Sequence, residues 1–301
     1  MTEPAELQER LARFNQRRLR PQVPEAGWRE DLALEHELRI VEGEWVEAQR
    51  RAVIRSAAAA PADPQGFVAW FEELRERGPG QDDPLFPWLA ERATLEEMRW
   101  FLAQEIAGEA GFEDLVALTQ LKLPTQPKLE LARNYWDEMG RGRERAMHGP
   151  MLGRLAQALR VEAPLEDTVP EALALANLLV ALAMNRRYAF HAIGALGAIE
   201  MTAPGRVALV DRGLKRLGVS KSDRQYFALH AVVDLQHSAA WNSEVIAPLV
   251  RDRPSVATAI AEGALLRLRA GARCFERYRA HFGLGQPAAP RAERGGDALS
   301  V

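Results

Sequence analysis

The sequence predicts an all-α protein, and three observations carry that reading. Alternating apolar and polar runs bounded by turn residues, the mark of half-buried strands, are missing. Apolar residues instead recur at helical spacing, as in Phe67, Trp70, Phe71 and Leu74. Finally, Thr94-x-x-Glu97 and Thr168-x-x-Glu171 both carry the capping-box pattern that opens a helix.

The elements follow in order. Residues 6–20 form a polar amphipathic helix, and 28–56 a longer one that ends before Pro61. The Phe67 stripe makes 64–77 helical, until Gly78-Pro79-Gly80 breaks it. The Thr94 box starts a helix that runs at least to Ala110; Gly111 interrupts it, and helix resumes over 112–121. Pro124 and Pro127 punctuate the chain before a helix over 128–139, which Gly140 and Gly142 stop. His148 opens another that ends near Leu159. The Thr168 box precedes a long apolar helix to about Met201, followed by a shorter helix over 204–217 and a Gly218 stop. Ser222 or Asp223 caps a helix that runs to about Arg251, and 254–282 is the last. No long linker divides 61–282, so that span reads as one bundle, with 1–60 as a helical extension. The tail 283–301, with Pro287, Pro290 and Gly295-Gly296, reads as disordered.

Composition narrows the function. Among 301 residues, 39 are Lys or Arg and 42 are Asp or Glu, a net charge of −3. There is no basic surplus of the kind a nucleic-acid binder shows. The only cysteine, Cys274, excludes a disulfide framework and any Cys-based zinc or iron–sulfur site. A metal would therefore fall to His, Asp and Glu. The first twenty residues are charged and lack the apolar run of a signal peptide. The most apolar stretch, 172–184, is too short for a bilayer, which needs about 20 residues. The expectation is a cytoplasmic protein without a membrane span.

The chemistry concentrates in residues 226–241, YFALHAVVDLQHSAAW. His230, Asp234 and His237 follow HxxxDxxH. On a helix they fall at about 0°, 40° and −20°, on one stripe. Their neighbours Phe227, Leu229, Val232, Val233 and Leu235 flank that stripe and predict a buried helix. Three ionisable groups on one buried line need partners, because an uncompensated buried charge costs several kcal/mol. A divalent metal, which takes imidazole and carboxylate ligands, satisfies all three together. Facing helices must then supply more ligands. The candidates are Glu200, which closes an apolar run, Glu138 with Asp137, His148 at a helix start, and Glu105 and Glu109, four apart on one face. His191, nine residues before Glu200 and out of phase with it, reads as a hydrogen-bonded core residue. Arg187, Tyr188 and Tyr226 lie near enough to the ligand helices to meet a substrate.

The ordered set Glu138-x9-His148, Glu200, His230-x3-Asp234-x2-His237 resembles the haem-oxygenase-like di-iron oxidases, also described as iron-containing redox enzymes. GFEDLVAL (111–118), NYWDEMG (134–140) and GLKRLG (213–218) are similar to phrases of that family, and the likeness covers roughly 85–282. It implies a haem-oxygenase-like bundle of about seven core helices binding two irons, Fe2+ or Fe3+, with O2 as co-substrate. His148 and glutamates would hold one iron, and His230 and His237 the other. Glu138, Glu200 and Asp234 would supply bridging or terminal carboxylates. The remaining ligand would come from the first core helix, where both Glu105 and Glu109 fit by face. A Gln-acid pair in that helix, found in thiaminase-type relatives, resembles Gln104-Glu105 and favours Glu105 as pocket-lining, whereas Glu109 is nearer the later ligands in sequence, and both stay candidates.

The implied activity is O2-dependent oxidation of a small organic molecule, by N-oxygenation, desaturation or C–C cleavage. An external electron donor is compatible with it, and the polar N-terminal helices leave room for a homodimer. Two rival readings use the same residues: a metal-free enzyme on this scaffold, thiaminase-like or quinone-synthase-like, and a helical interaction protein. A haem site fits less well, because the carboxylates suit non-haem iron.

Overall fold

A computed structural model describes residues 5–24, 26–108 and 111–285. Among them there is no strand, and the fold is all-α. The chain runs α1 (Ala5–Leu19), α2 (Trp28–Arg51), α3 (Ile54–Ala57), α4 (Pro64–Arg77), α5 (Leu85–Glu91), α6 (Leu95–Gly108), α7 (Phe112–Thr119), α8 (Thr125–Glu138) and α9 (His148–Leu159). It continues through α10 (Pro170–Met184), α11 (Ala189–Arg216), α12 (Gln225–Ala240), α13 (Ala247–Asp252) and α14 (Ala257–His281). Ala110 and the tail beyond 285 lie outside the described residues, so the expected end of the Thr94 helix and the disordered tail lie outside them too.

Helix α11 is the axis of the molecule, packed against α12, α14 and α5. Its run of small residues explains how it fits there. A Cβ on Gly194 would run into the carbonyl oxygen of Ile260 on α14, and one on Gly263 would run into the carbonyl of His191. The two backbones therefore touch, which only glycine permits at such a crossing. By length and composition α11 could also cross a membrane, but 61% of its apolar window is buried inside the bundle. The first helices pack onto this core. Asn177 on α10 donates to both the backbone and the side-chain oxygen of Gln8 at 2.9 Å and accepts from Asn15 at 2.8 Å. Arg50 on α2 reaches Glu262 on α14 at 2.8 Å.

Several expected boundaries move, each for a physical reason. The Thr94 capping box forms: Glu97 accepts from the Thr94 amide at 2.7 Å, and the Glu97 amide reaches back to the Thr94 hydroxyl at 3.3 Å. The Thr168 box does not. Pro170 begins α10, so Val169 is the cap residue, and the Thr168 hydroxyl donates to the Pro164 carbonyl instead. The long apolar helix expected after Thr168 is two helices. Asn185 is extended, and its side chain accepts from the Arg187 amide, ending α10 in an Asx turn. The expected break at Pro204 is absent, and α11 runs through it. Pro127 likewise sits in the first turn of α8, where its missing N–H costs nothing. Leu85–Glu91, to which the sequence reading assigns no element, is helical.

Helix α12 also differs from expectation. It is not buried all round, because Val232 and Leu235 are 62% and 55% exposed. Only the stripe with Asp234 and His237 is buried. Beyond Ala240 the helix widens into a π turn over Trp241–Ile246, a departure that is common at functional sites.

Candidate metal centre

Four helices aim the candidate residues at one place. Glu138 is the last residue of α8 and His148 the first of α9. The chain between them turns back sharply at Gly140, whose φ of 62° and contact with the Ala146–Met147 backbone leave no room for a side chain. Glu200 comes from the middle of α11, and His230, Asp234 and His237 from α12. Glu138, His148, Glu200, Asp234 and His237 are each at most 7% exposed.

Within this cluster are two groups that could hold a metal ion. Glu138, His148 and His230 form one; Glu138, Glu200 and His237 form the other. Glu138 belongs to both, so its carboxylate stands where a bridging ligand would. Its Oε2 lies 2.6 Å from His148 Nδ1, and the rings of His148 and His230 meet edge to face at 4.5 Å. His237 Nδ1 lies 3.4 Å from Glu200 Oε2. Buried polar atoms are ordinarily hydrogen-bonded. Here His148 Nδ1, His237 Nδ1 and Asp234 Oδ1 are buried without a hydrogen bond. Three orphaned atoms of ligand type beside buried carboxylates fit a cation that takes the place of the protons they hold without it.

The surroundings orient these ligands. His230 Nδ1 donates to the Tyr226 carbonyl at 2.8 Å, which leaves Nε2 as the free lone pair. His237 Nε2 contacts Asp137 at 3.3 Å, which leaves Nδ1 for the centre. Asn134 donates to Glu200 Oε1 at 2.6 Å.

Electrostatics reflect three carboxylates in a dry place. Burial first, then Glu200 and Glu138, pushes Asp234 up to about 9. Burial and Glu200 also hold Glu138 well above the usual carboxylate range. Burial pulls His148 and His230 down to about 4, so both imidazoles are neutral at pH 7 and free to ligate. His237 goes the other way. Burial opposes its charge, but Glu200 and Asp137 outweigh it and raise the ring to about 9.

Glu105 stands apart from both groups. Burial raises its pKa, and its neighbours are Arg267, Arg206 and Tyr278. It lines the same cavity as Glu138, Glu200, His230 and Asp234, a space of about 150 Å³ walled by Phe101, Phe112 and Leu175 among others. Its neighbour Gln104 is committed to structure, accepting from the Val169 amide at 2.8 Å. Glu109 lies outside the described residues. His191 bonds Glu262 at 2.8 Å, the core role expected of it. Tyr226 lines the cavity, whereas Tyr188 and Arg187 both turn to Glu47.

Sequence reasoning missed the orienting roles of Asn134 and Asp137, and it missed Glu113, whose charge acts on both Glu138 and His148. A signal existed. Asn134, Asp137 and Glu138 fall at i, i+3 and i+4, one helical face.

A family model described as iron-containing redox enzyme matches residues 99–272. A solved domain of unknown function with a heme oxygenase-like fold, from Shewanella denitrificans OS217, is similar at 15% identity with a TM-score of 0.49. That likeness covers 72% of this chain and 90% of the domain. No curated protein matches the chain.

Proposed function

The chain belongs to the iron-containing redox enzyme family, and from that premise we propose that it is a non-haem di-iron oxidase that uses O2 to oxidise a small organic substrate. One observation carries the reading: Glu138 is shared by two buried ligand groups, one completed by His148 and His230, the other by Glu200 and His237. A shared carboxylate flanked by imidazoles from facing helices is the donor set of a carboxylate-bridged pair of ions.

Bound iron would supply the electron transfer and O2 activation that no side chain can provide. The chain's own residues do the rest. The Tyr226 carbonyl and the Asp137 carboxylate fix which nitrogen His230 and His237 present. Asn134 pins one oxygen of Glu200 and leaves the other free. Asp234, the third carboxylate of the site, has a raised pKa and holds a proton at the cavity wall until a metal displaces it. The apolar walls seat the substrate and exclude bulk water.

Anaerobic loading with ferrous iron, followed by metal analysis and Mössbauer spectroscopy, tests the reading. The expected outcome is about two irons per chain. Less than about 0.3 iron per chain after loading overturns it.

A further inference from the structure

The cavity has a second polar region that the metal ligands do not use. Arg206 from α11 and Arg267 from α14 both line it, beside Glu105. Neither arginine has a carboxylate oxygen within ion-pair distance among the described residues. The hydrogen bond of Arg206 goes to a neutral group, the Thr202 hydroxyl at 3.0 Å. Its guanidinium lies over the rings of Phe275 and Phe86, at 5.4 and 5.9 Å. The Nε of Arg267 is buried without any partner. Burial, and then the charge of Arg267, pulls Arg206 down to about 9, and burial lowers Arg267 as well. Buried guanidinium groups ordinarily sit in bidentate pairs with an anion, because leaving one unpaired is costly. Here two guanidiniums face one cavity with a single carboxylate between them, and that carboxylate is itself pushed toward its neutral form.

We propose that Arg206 and Arg267 form an anchoring pole for the carboxylate of a monocarboxylic substrate with an apolar body. The inference rests on the reading of this cavity as the substrate chamber of the oxidase. With Glu105 pushed toward its neutral form, the two guanidiniums lack an anion, and the paired oxygens of a carboxylate match the planar fork of donors that each presents. The walls between the two poles, including Phe101, Phe112 and Leu175, match an apolar chain. Arg206 follows Glu200 by six residues on the same helix, about 9 Å along the axis. An acid anchored there presents to the metal ligands an atom remote from its carboxylate, not the carboxylate itself. The pole thus sets which bond is oxidised.

The test is calorimetric and reads binding rather than turnover. The full-length chain is titrated with octanoate before and after anaerobic iron loading, with octan-1-ol and octyl phosphate as parallel arms. Octanoate is expected to bind both forms, and octan-1-ol at least about tenfold more weakly, since hydrogen bonds to charged groups contribute on that scale. R206Q and R267Q are each expected to weaken octanoate by at least about tenfold while taking up as much iron as the unsubstituted chain. Their melting temperatures should stay level or rise without ligand, because each loses an unpaired buried charge. Equal binding of octan-1-ol and octanoate to the unsubstituted chain overturns the proposal without any variant. So does undiminished octanoate binding in both variants. Tighter binding of octyl phosphate overturns the carboxylate assignment. Octanoate binding that depends on the arginines in a chain that takes up no iron leaves the pole standing and removes the di-iron reading alone.

Discussion

Glu138 Oε2 stands 2.6 Å from His148 Nδ1, both side chains are buried, and the contact lacks the alignment of a hydrogen bond. The two residues end one helix and begin the next, so the loop between them sets their separation. In the proposed reading, a metal ion would be the third partner that this carboxylate and imidazole share. Because Glu138 is also in the second ligand group, its removal should damage both ion positions.

E138A is therefore expected to lower bound iron from about two per chain to well under one, whereas H237A should retain about one. Metal analysis after anaerobic loading separates these outcomes. Equal iron content in the two variants would show that Glu138 is not shared.

Asp137 and Asn134 touch His237 and Glu200, which are proposed ligands. Losing such an orienting group typically costs about 10–100-fold in metal affinity. D137N and N134A should show that loss in competition with a chelator while their helicity stays unchanged. Undiminished affinity would leave the His237 tautomer and the Glu200 carboxylate orientation without a role.

Metal uptake should depend on pH. His148 and His230 are held near 4 and bind without losing protons at pH 7. His237 and Asp234 are held near 9, so each binds a metal at pH 7 only by giving up a proton. Affinity should then rise as pH climbs from 7 toward 9 and level off above it. Glu138 is held high as well, so loading at pH 7 should release at least about two protons per chain, readable as acidification of weakly buffered solution. Loading without proton release would rule out ligation by these two groups.

The α11–α14 crossing makes a prediction about stability. G194A and G263A each place a methyl group against backbone that cannot yield cheaply. Each should cost about 1–3 kcal/mol or more, as overpacking does, and lower the melting temperature by several degrees. G205A, where a Cβ meets nothing, is the control and should melt like the unsubstituted chain or slightly higher.

How much of this was written in the sequence depended on which force decided each element. Helix α9 begins at His148 and ends at Leu159 as the periodicity predicts, and the Thr94 box closes as its spacing predicts. Both are local matters of pattern and capping. The split after Met184 and the continuity through Pro204 reverse the usual weight of punctuation. Tertiary packing carries α11 past its proline, while a single Asn side chain ends α10. The buried stripe on α12 was legible from spacing, although its opposite face is exposed. The orienting pair Asn134 and Asp137 was less legible, because their value comes from residues 66 and 100 positions away. The arginine pole was illegible for the same reason: α11 and α14 must be folded before Arg206 and Arg267 share a wall.

Pro204 has one more effect. It stands four residues after Glu200, and in a regular helix its amide would donate to the Glu200 carbonyl. Proline has no such amide. The peptide that bears a candidate bridging residue is therefore the point on α11 released from the helical ladder. Slight rotation there swings the Glu200 carboxylate without tearing the surrounding turns. If Glu200 holds iron as proposed, it would be mounted on a compliant joint, while Gly194 and Gly263 fix the α11–α14 crossing beside it.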